Sequence, residues 1–178
     1  MAHQLISSRF NSIKYAVDAT CGNGYDSLFL SRMCDNDGMI YCFDIQVEAI
    51  NNTASLLKSH RLFDKVRIIR SGHEDMLNHI GNKVSVIVFN LGYLPNSGRE
   101  IATNYGTTIK GLDSSLKLLE DRGIISIICY PKQNSGRIES EYIKNWTCSL
   151  SDEKYKVSIF LSENPDMSTP ILYLIESK

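Results

Sequence analysis

The 178-residue sequence lacks the patterns that mark several classes of protein. Its five cysteines form no C-x-x-C pair and show no zinc-ligand spacing, so they predict no metal site. An odd number of cysteines without a pattern is typical of a reducing compartment. The N-terminus has no apolar signal core, and no stretch approaches the length of a membrane span. We therefore expect a cytoplasmic protein that does not bind a membrane.

The sequence also lacks an excess of charge of either sign. It has 19 basic and 20 acidic residues, which gives a formal net charge of −1. Such a chain has no overall attraction to nucleic acid, so any binding to RNA requires a local patch. There is no internal repeat, low-complexity tract or linker, and 43% of the residues are apolar. We expect one domain, residues 1–178, with a substantial core.

Apolar runs alternate with segments of helical periodicity along the chain. The predicted helices cover residues 2–11, 25–33, 47–60, 74–80, 107–119 and 138–146. The predicted strands cover residues 15–19, 39–44, 66–70, 84–89, 124–129, 156–161 and 171–176. Five β–α units followed by two strands with no helix between them predict an α/β fold. The expected architecture is a Rossmann-like, doubly wound, seven-stranded and mostly parallel sheet with a C-terminal antiparallel hairpin.

A Gly-x-Gly turn follows the first predicted strand and is bracketed by acids. Asp18 precedes the turn, Gly22 and Gly24 form it, and Asp26 begins the next helix. Glycines allow backbone to approach a ligand closely at the start of a helix. A further acid, Asp44, ends the second predicted strand, where a carboxylate can accept hydrogen bonds from two ribose hydroxyls. The pattern predicts a nucleoside-binding site at the carboxyl edge of the sheet.

The same turn distinguishes between nucleoside cofactors. A dinucleotide-binding turn reads G-x-G-x-x-G, but Ser27 stands at the third glycine position here. Carboxylates on both sides of the turn would repel a pyrophosphate, whereas they suit the charged amino group of S-adenosylmethionine. This favours S-adenosylmethionine over NAD. An NAD-dependent oxidoreductase stays an alternative, disfavoured by the missing glycine and by the lack of a substrate domain.

A long loop follows the fourth predicted strand, and it begins with Asn90. The carbonyl oxygen of Asn90 can accept a hydrogen bond from an acceptor amine beside the transferable methyl group. Tyr93 can stack on a base, while Gly92 permits close approach and Pro95 stiffens the loop. The pattern is similar to the Asn-Pro-Pro-Tyr arrangement of amino-group methyltransferases. The alternative is a turn in which Asn90 caps the loop and Tyr93 packs in the core.

The sequence resembles a bacterial family of class I S-adenosylmethionine-dependent methyltransferases that was formerly labelled rRNA methylase. Characterised members of that family methylate 5-aminomethyluridine at the tRNA wobble position. The resemblance extends over essentially the whole chain. It is carried by residues 17–30, 43–46, 72–74, 89–95, 101–103, 107–109, Gly136 and 170–172, with Ile-Glu near the C-terminus.

The resemblance implies methyl transfer from S-adenosylmethionine to the amino group of 5-aminomethyluridine, with the tRNA anticodon loop as partner. Asn90 and Tyr93 are then the catalytic residues. The implied cofactor-binding residues are Asp18, Thr20, Gly22, Asn23, Gly24, Asp26, Asp44, Ile45, Gln46, His73, Glu74 and Asn90. The implied substrate-binding residues are Tyr93, Arg99, Thr103, Thr107, Tyr130 and Arg137.

Several points are left open by the sequence. His73 fits an adenine contact, a general base or a histidine satisfied within a loop. Arg99 and Arg137, with Lys110 and Lys132, fit a rim that contacts phosphates. Where the family has Gly-Asp and Pro-Glu, this chain has Ser97-Gly98 and Tyr105-Gly106, so two carboxylates are missing. The remaining alternative functions are an rRNA or small-molecule N-methyltransferase and a non-catalytic cofactor- or RNA-binding module. A homodimer is a further possibility for the assembly of the protein.

Overall fold

The structure is a computed structural model that describes residues 1–92, 102–131, 134–161 and 169–178. Within these residues the strands are β1 Ile13–Asp18, β2 Cys34–Asp44, β3 Val66–Arg70, β4 Val84–Asn90, β5 Leu119–Cys129, β6 Tyr155–Phe160 and β7 Ile171–Ser177. The α-helices are α1 Ala2–Arg9, α2 Tyr25–Met33, α3 Val47–Ser59, α4 Tyr105–Leu118 and α5 Asn134–Cys148. Short 3-10 helices cover Phe63–Lys65 and His73–Asn78.

The strands form one sheet in the order β3-β2-β1-β4-β5-β7-β6. Strands β1 to β5 are parallel to one another, and β7 lies antiparallel between β5 and β6. The predicted doubly wound sheet with a C-terminal antiparallel hairpin is therefore confirmed. Strand β1 pairs with both β2 and β4, so the strand order reverses there. In such sheets, ligands bind outside the carboxyl ends of the strands at that reversal.

The two faces of the sheet carry two separate cores, because successive side chains of a strand point to opposite faces. In β4, Val86 and Val88 belong to one core, while Ile87 and Phe89 belong to the other. Helices α1, α2 and α3 cover the first face through Ile6, Leu30 and Ile50. Helices α4 and α5 and the second 3-10 helix cover the other face through Leu112, Ile143 and Met76. Residues 84–89 of β4 are all buried, as expected for a central strand with a continuous apolar run, and Asn90 at its end is exposed.

The main differences from the predicted elements lie at strand starts. Strands β2 and β5 begin five residues earlier than expected, at Cys34 and Leu119, and each then passes through a polar segment, residues 35–38 and 120–123. Pairing with β1 shifts register between Ile13 and Tyr15, which accommodates the extra residues in β2. The helix predicted over residues 74–80 is a 3-10 helix that covers His73–Asn78. No helix among the described residues is long and apolar enough to cross a bilayer.

Candidate active site

A pocket of about 680 Å³ lies at the carboxyl ends of the parallel strands. This volume is in the usual range for small-molecule sites. Most of the predicted cofactor-binding residues line the pocket, namely Thr20, Gly22, Asn23, Asp26, Asp44, Ile45, Gln46, His73, Glu74 and Asn90. The strand reversal therefore brings together residues that are up to 70 positions apart in the sequence.

Asp44 is fixed in this pocket by two backbone amides. Its Oδ2 accepts a hydrogen bond from the Gly22 amide at 3.1 Å, and its Oδ1 accepts one from the Gln46 amide at 3.0 Å. Gly22 has a left-handed φ of 48°, a conformation that glycine adopts without a steric penalty. Each carboxylate oxygen keeps a further lone pair, because a carboxylate has about four acceptor positions. Asp44 is thus oriented and still able to accept two hydroxyl groups.

Asp18 does not have the position that its motif suggested. Its side chain is completely buried, and it is not among the pocket-lining residues. Its oxygens accept hydrogen bonds from the Ser27 hydroxyl at 2.6 Å and the Thr20 amide at 3.3 Å. Burial, together with the charges of Asp26 and Asp44, raises the pKa of Asp18 to about 8. The expectation that Asp18 contacts the cofactor directly is therefore corrected. Asp18 instead holds the turn in place through its hydrogen bonds to Thr20 and Ser27.

Gly24 also requires a correction. It is buried outside the pocket wall and has a φ of 85°. A Cβ atom at this position would lie 2.9 Å from the Thr53 Cα, in α3. Gly24 therefore permits close packing of α2 against α3, and it does not give a ligand access to backbone.

Asp26 lines the pocket and has an unexpected partner in α1. The Nε2 of His3 lies 2.6 Å from the Asp26 Oδ1, and the His3 ring stacks on Phe29 with 3.8 Å between centroids. His3 thus contacts both the acid on the pocket wall and an aromatic ring of α2. Helix α1 thus supports one wall of the pocket.

His73 lies in the pocket wall but is almost completely buried. Its Nδ1 is 3.3 Å from the Ala19 carbonyl, which can only accept, so Nδ1 carries a hydrogen. Burial lowers the pKa of His73, which favours the neutral ring with an accepting Nε2. That Nε2 has no hydrogen-bond partner among the described residues. His73 can therefore accept a hydrogen bond from a ligand or water that reaches it.

Asn90 ends β4 at the pocket, and its amide donates to the Thr20 hydroxyl at 2.7 Å. This bond ties the end of β4 to the turn after β1. The predicted residues Tyr93 and Arg99 lie outside the described residues, as does Lys132. Of the other predicted substrate-binding residues, Thr103, Thr107 and Tyr130 line the pocket, whereas Arg137 is exposed on α5 away from its lining.

The sequence analysis missed Glu139, a buried acid of α5 that lines the pocket. Its Oε1 accepts a hydrogen bond from the Thr108 hydroxyl at 2.6 Å, and its Oε2 accepts one from the Thr103 hydroxyl at 2.8 Å. Burial raises the pKa of Glu139. Its spacing from the buried Ile143 and Trp146 placed it on the inner face of the helix, which is the signal that could have identified it.

The pocket fits the chemistry of S-adenosylmethionine. Asp44 offers two oriented oxygens for ribose hydroxyls, and Asp26 adds negative charge that suits the cationic end of the cofactor. The side chains of Ile45 and Tyr25 are 54% and 70% exposed on the pocket wall, where a flat heterocycle can cover them. Among the described residues, no group of His, Cys, Asp and Glu side chains could hold a metal ion.

Comparison with known proteins agrees with this assignment. A crystal structure described as a "putative rRNA-methylase" from Clostridium thermocellum superposes with a TM-score of 0.96 and 35% identity, covering 99% of this chain and 95% of that one. A "putative methyltransferase" from Streptococcus mutans in complex with SAH gives a TM-score of 0.90 and 28% identity, covering 99% and 96%.

A relative from Arabidopsis thaliana is named as a chloroplastic tRNA (mnm(5)s(2)U34)-methyltransferase. It is 29% identical over an alignment of 170 residues that covers 90% of this chain. The chain spans 62% of the length of that relative. The family model described as "Putative rRNA methylase" matches residues 40–176. The chain therefore belongs to this rRNA methylase family of S-adenosylmethionine-dependent methyltransferases, and S-adenosylmethionine is its cofactor.

Proposed function

We propose that this protein transfers a methyl group from S-adenosylmethionine to the amino group of 5-aminomethyluridine at the tRNA wobble position, giving 5-methylaminomethyluridine. The resemblance of its sequence to the wobble-uridine family supports this acceptor. The name of the Arabidopsis relative refers to the same kind of modification. The family's description as rRNA methylase favours ribosomal RNA as the second candidate acceptor.

One structural observation carries the proposal: Asp44 and Asn90 lie in the same pocket. They end β2 and β4, and only β1 separates these strands in the sheet. With neighbouring strands about 4.8 Å apart, the two strand ends are about 10 Å from each other. A nucleoside whose ribose is held by Asp44 can therefore extend toward Asn90.

The residues around Asn90 suit an amine acceptor. S-adenosylmethionine supplies an electrophilic methyl group, so the protein contributes mainly position and removal of water. The Asn90 side chain offers a carbonyl oxygen that can accept an N–H from the acceptor and thereby direct the nitrogen lone pair. The hydrogen bond from the Asn90 amide to Thr20 holds this strand end against the cofactor turn.

The rim near α4 and α5 suits a single-stranded RNA loop. Tyr105 and Tyr142 are exposed there and stack on each other with 4.2 Å between ring centroids. Tyr130, also exposed, lines the pocket nearby. RNA-binding proteins commonly stack unpaired bases on exposed aromatic rings. By the resemblance, Tyr105 stands in the segment where the family usually has Pro-Glu.

The test is transfer of tritiated methyl groups to three acceptors: tRNA from a strain that lacks the modification, a 5-aminomethyluridine anticodon stem-loop, and ribosomal particles. We expect both tRNA-derived acceptors to be methylated, with 5-methylaminomethyluridine identified by mass spectrometry. Asn90→Ala should reduce transfer far more than it weakens the binding of S-adenosylmethionine. Asn51→Ala, which changes an exposed asparagine of α3, is the matched control.

One result would contradict the proposed acceptor, and a second would contradict the role of Asn90. Methylation of ribosomal particles with inert tRNA and stem-loop would assign the enzyme to rRNA. If Asn90→Ala transferred methyl groups at the parental rate, the assignment of tRNA as acceptor would stand, but Asn90 would have no role in the transfer.

A further inference from the structure

Glu139 is a buried carboxylate, and its hydrogen-bond partners among the described residues are neutral. Thr108 of α4 and Thr103, which precedes α4, each donate to one of its oxygens. From β5 the titratable group nearby is the Cys129 thiol. No lysine, arginine or histidine among the described residues forms an ion pair with Glu139. The pocket wall thus contains a carboxylate without a cationic partner from the described part of the chain.

A buried charge is costly unless it is hydrogen-bonded and paired. Two threonine hydroxyls favour the ionised form of Glu139, but they supply no positive charge. Each carboxylate oxygen retains a second acceptor position beyond its threonine bond. Because Glu139 lines the pocket, a cationic ligand can provide the missing charge.

Glu139 is linked to the acceptor side of the pocket by a short chain of hydrogen bonds. The Thr103 hydroxyl donates to Glu139 and accepts from the Gly92 amide at 3.0 Å, and the Thr103 amide donates to the Gly92 carbonyl at 2.9 Å. Gly92 lies two residues after Asn90. The carboxylate therefore stands beside the strand end at which the acceptor is proposed to bind.

We propose that Glu139 binds the ammonium group of the acceptor and takes up one of its protons. This inference rests on the proposed function, because it assigns the residue that recognises an aminomethyl group. An alkylamine with a pKa near that of lysine, about 10.4, is an ammonium ion at neutral pH and has no free lone pair. Some group in the site must remove a proton before the nitrogen can accept a methyl group.

The proton transfer is balanced within the site. One N–H bond of the ammonium ion breaks, an O–H bond forms on the Glu139 carboxylate, and the electron pair stays on nitrogen. The products are a neutral amine and a neutral carboxylic acid, so the transfer neutralises both charges in the buried site. Burial raises the pKa of Glu139 and so reduces the difference between its pKa and that of the amine. The proton transfer therefore costs less free energy.

The first test measures binding without turnover. The parental protein and Glu139→Gln are titrated, with S-adenosylhomocysteine bound, with stem-loops that carry either 5-aminomethyluridine or 5-methyluridine. We expect the parental protein to prefer the aminomethyl stem-loop by about tenfold, as for a hydrogen bond between charged groups. Glu139→Gln should lose this preference and keep its S-adenosylhomocysteine affinity. Glu141→Gln, an exposed acid of the same helix, should retain the preference.

A purely positioning role for Glu139 predicts a different result. Glu139→Gln would then weaken both stem-loops equally and keep the preference, which would overturn the inference. Glu139→Asp retains the charge and should retain a preference for the aminomethyl stem-loop. If the parental protein methylates neither tRNA nor the aminomethyl stem-loop, the proposed function fails. If it methylates both and Glu139→Gln keeps the preference, only this inference fails.

A second variant covers the case in which Glu139→Gln does not fold. Thr108→Val removes one donor to the carboxylate at nearly constant volume. Loss of that donor should raise the pKa of Glu139 further, because the hydrogen bond favours the ionised form. The acidic limb of the profile of kcat/KM against pH should then shift to higher pH. An unshifted limb in an active Thr108→Val protein would contradict the role of Glu139 as proton acceptor.

Discussion

Replacing Asp44 with alanine should greatly weaken the binding of S-adenosylmethionine. The structure holds the Asp44 carboxylate with the Gly22 and Gln46 amides and leaves acceptor positions directed at the pocket. The variant loses the hydrogen bonds from the carboxylate to the ribose hydroxyls, and it also frees the backbone on both sides of the nucleoside site. A hydrogen bond to a charged group contributes about 1.5–3 kcal/mol. A loss of about 3 kcal/mol corresponds to a roughly 150-fold higher Kd.

Calorimetric titration with S-adenosylmethionine and with S-adenosylhomocysteine measures this effect. Asp64→Ala is the control, since Asp64 is an exposed acid in the 3-10 helix before β3, at the opposite edge of the sheet. Thermal unfolding of each variant checks that the fold persists. Unchanged affinity in a folded Asp44→Ala protein would refute the reasoning, as would tighter binding of NAD than of S-adenosylmethionine by the parental protein.

Three further predictions concern the surroundings of the site. The raised pKa of Asp18 means that its contribution to stability is complete below pH 4 and is lost as the pH rises toward 8. Asp18→Asn should therefore gain stability relative to the parental protein between pH 4 and 8 in denaturant titrations, and a constant difference would contradict this. Gly24→Ala should lower the free energy of unfolding by about 3 kcal/mol, because alanine is strained at a left-handed φ and its Cβ would contact α3. Gly81 has open space around it, so Gly81→Ala should lower the free energy of unfolding far less. The slope of log K for tRNA binding against the logarithm of the salt concentration should fall by about one phosphate contact in Arg99→Ala and likewise in Arg137→Ala. An unchanged slope would exclude a phosphate contact by that arginine.

The fold could be predicted almost completely because its signals are local and repeated. The continuous apolar run of β4 and the strict helical spacing of α3 need no tertiary information. The early starts of β2 and β5 could not be predicted in this way. Cys34 pairs with β1 and Leu119 pairs with β4, and the polar residues 35–38 and 120–123 that follow coincide with register shifts in these pairings, which depend on the neighbouring strand.

The candidate site was predictable where a residue type and its position at a strand end coincide, as for Asp44 and Asn90. It was not predictable where burial decides the role. Asp18 and Asp44 are both acids that end a strand, yet Asp18 is enclosed by α2 and Asp44 faces the pocket. Glu139 was missed because its partners, Thr103 and Thr108, come from a distant segment.

The three acids around the first turn illustrate how the structure distributes charge in the site. Three ionised carboxylates at close range would repel one another, and each has a different environment here. Asp18 is buried with a raised pKa, which favours its neutral form. Asp44 is bound by two amides, and Asp26 by His3. Since Asp26 and Asp44 line the pocket and Asp18 does not, the acids on this wall oppose a pyrophosphate and favour the cationic end of S-adenosylmethionine.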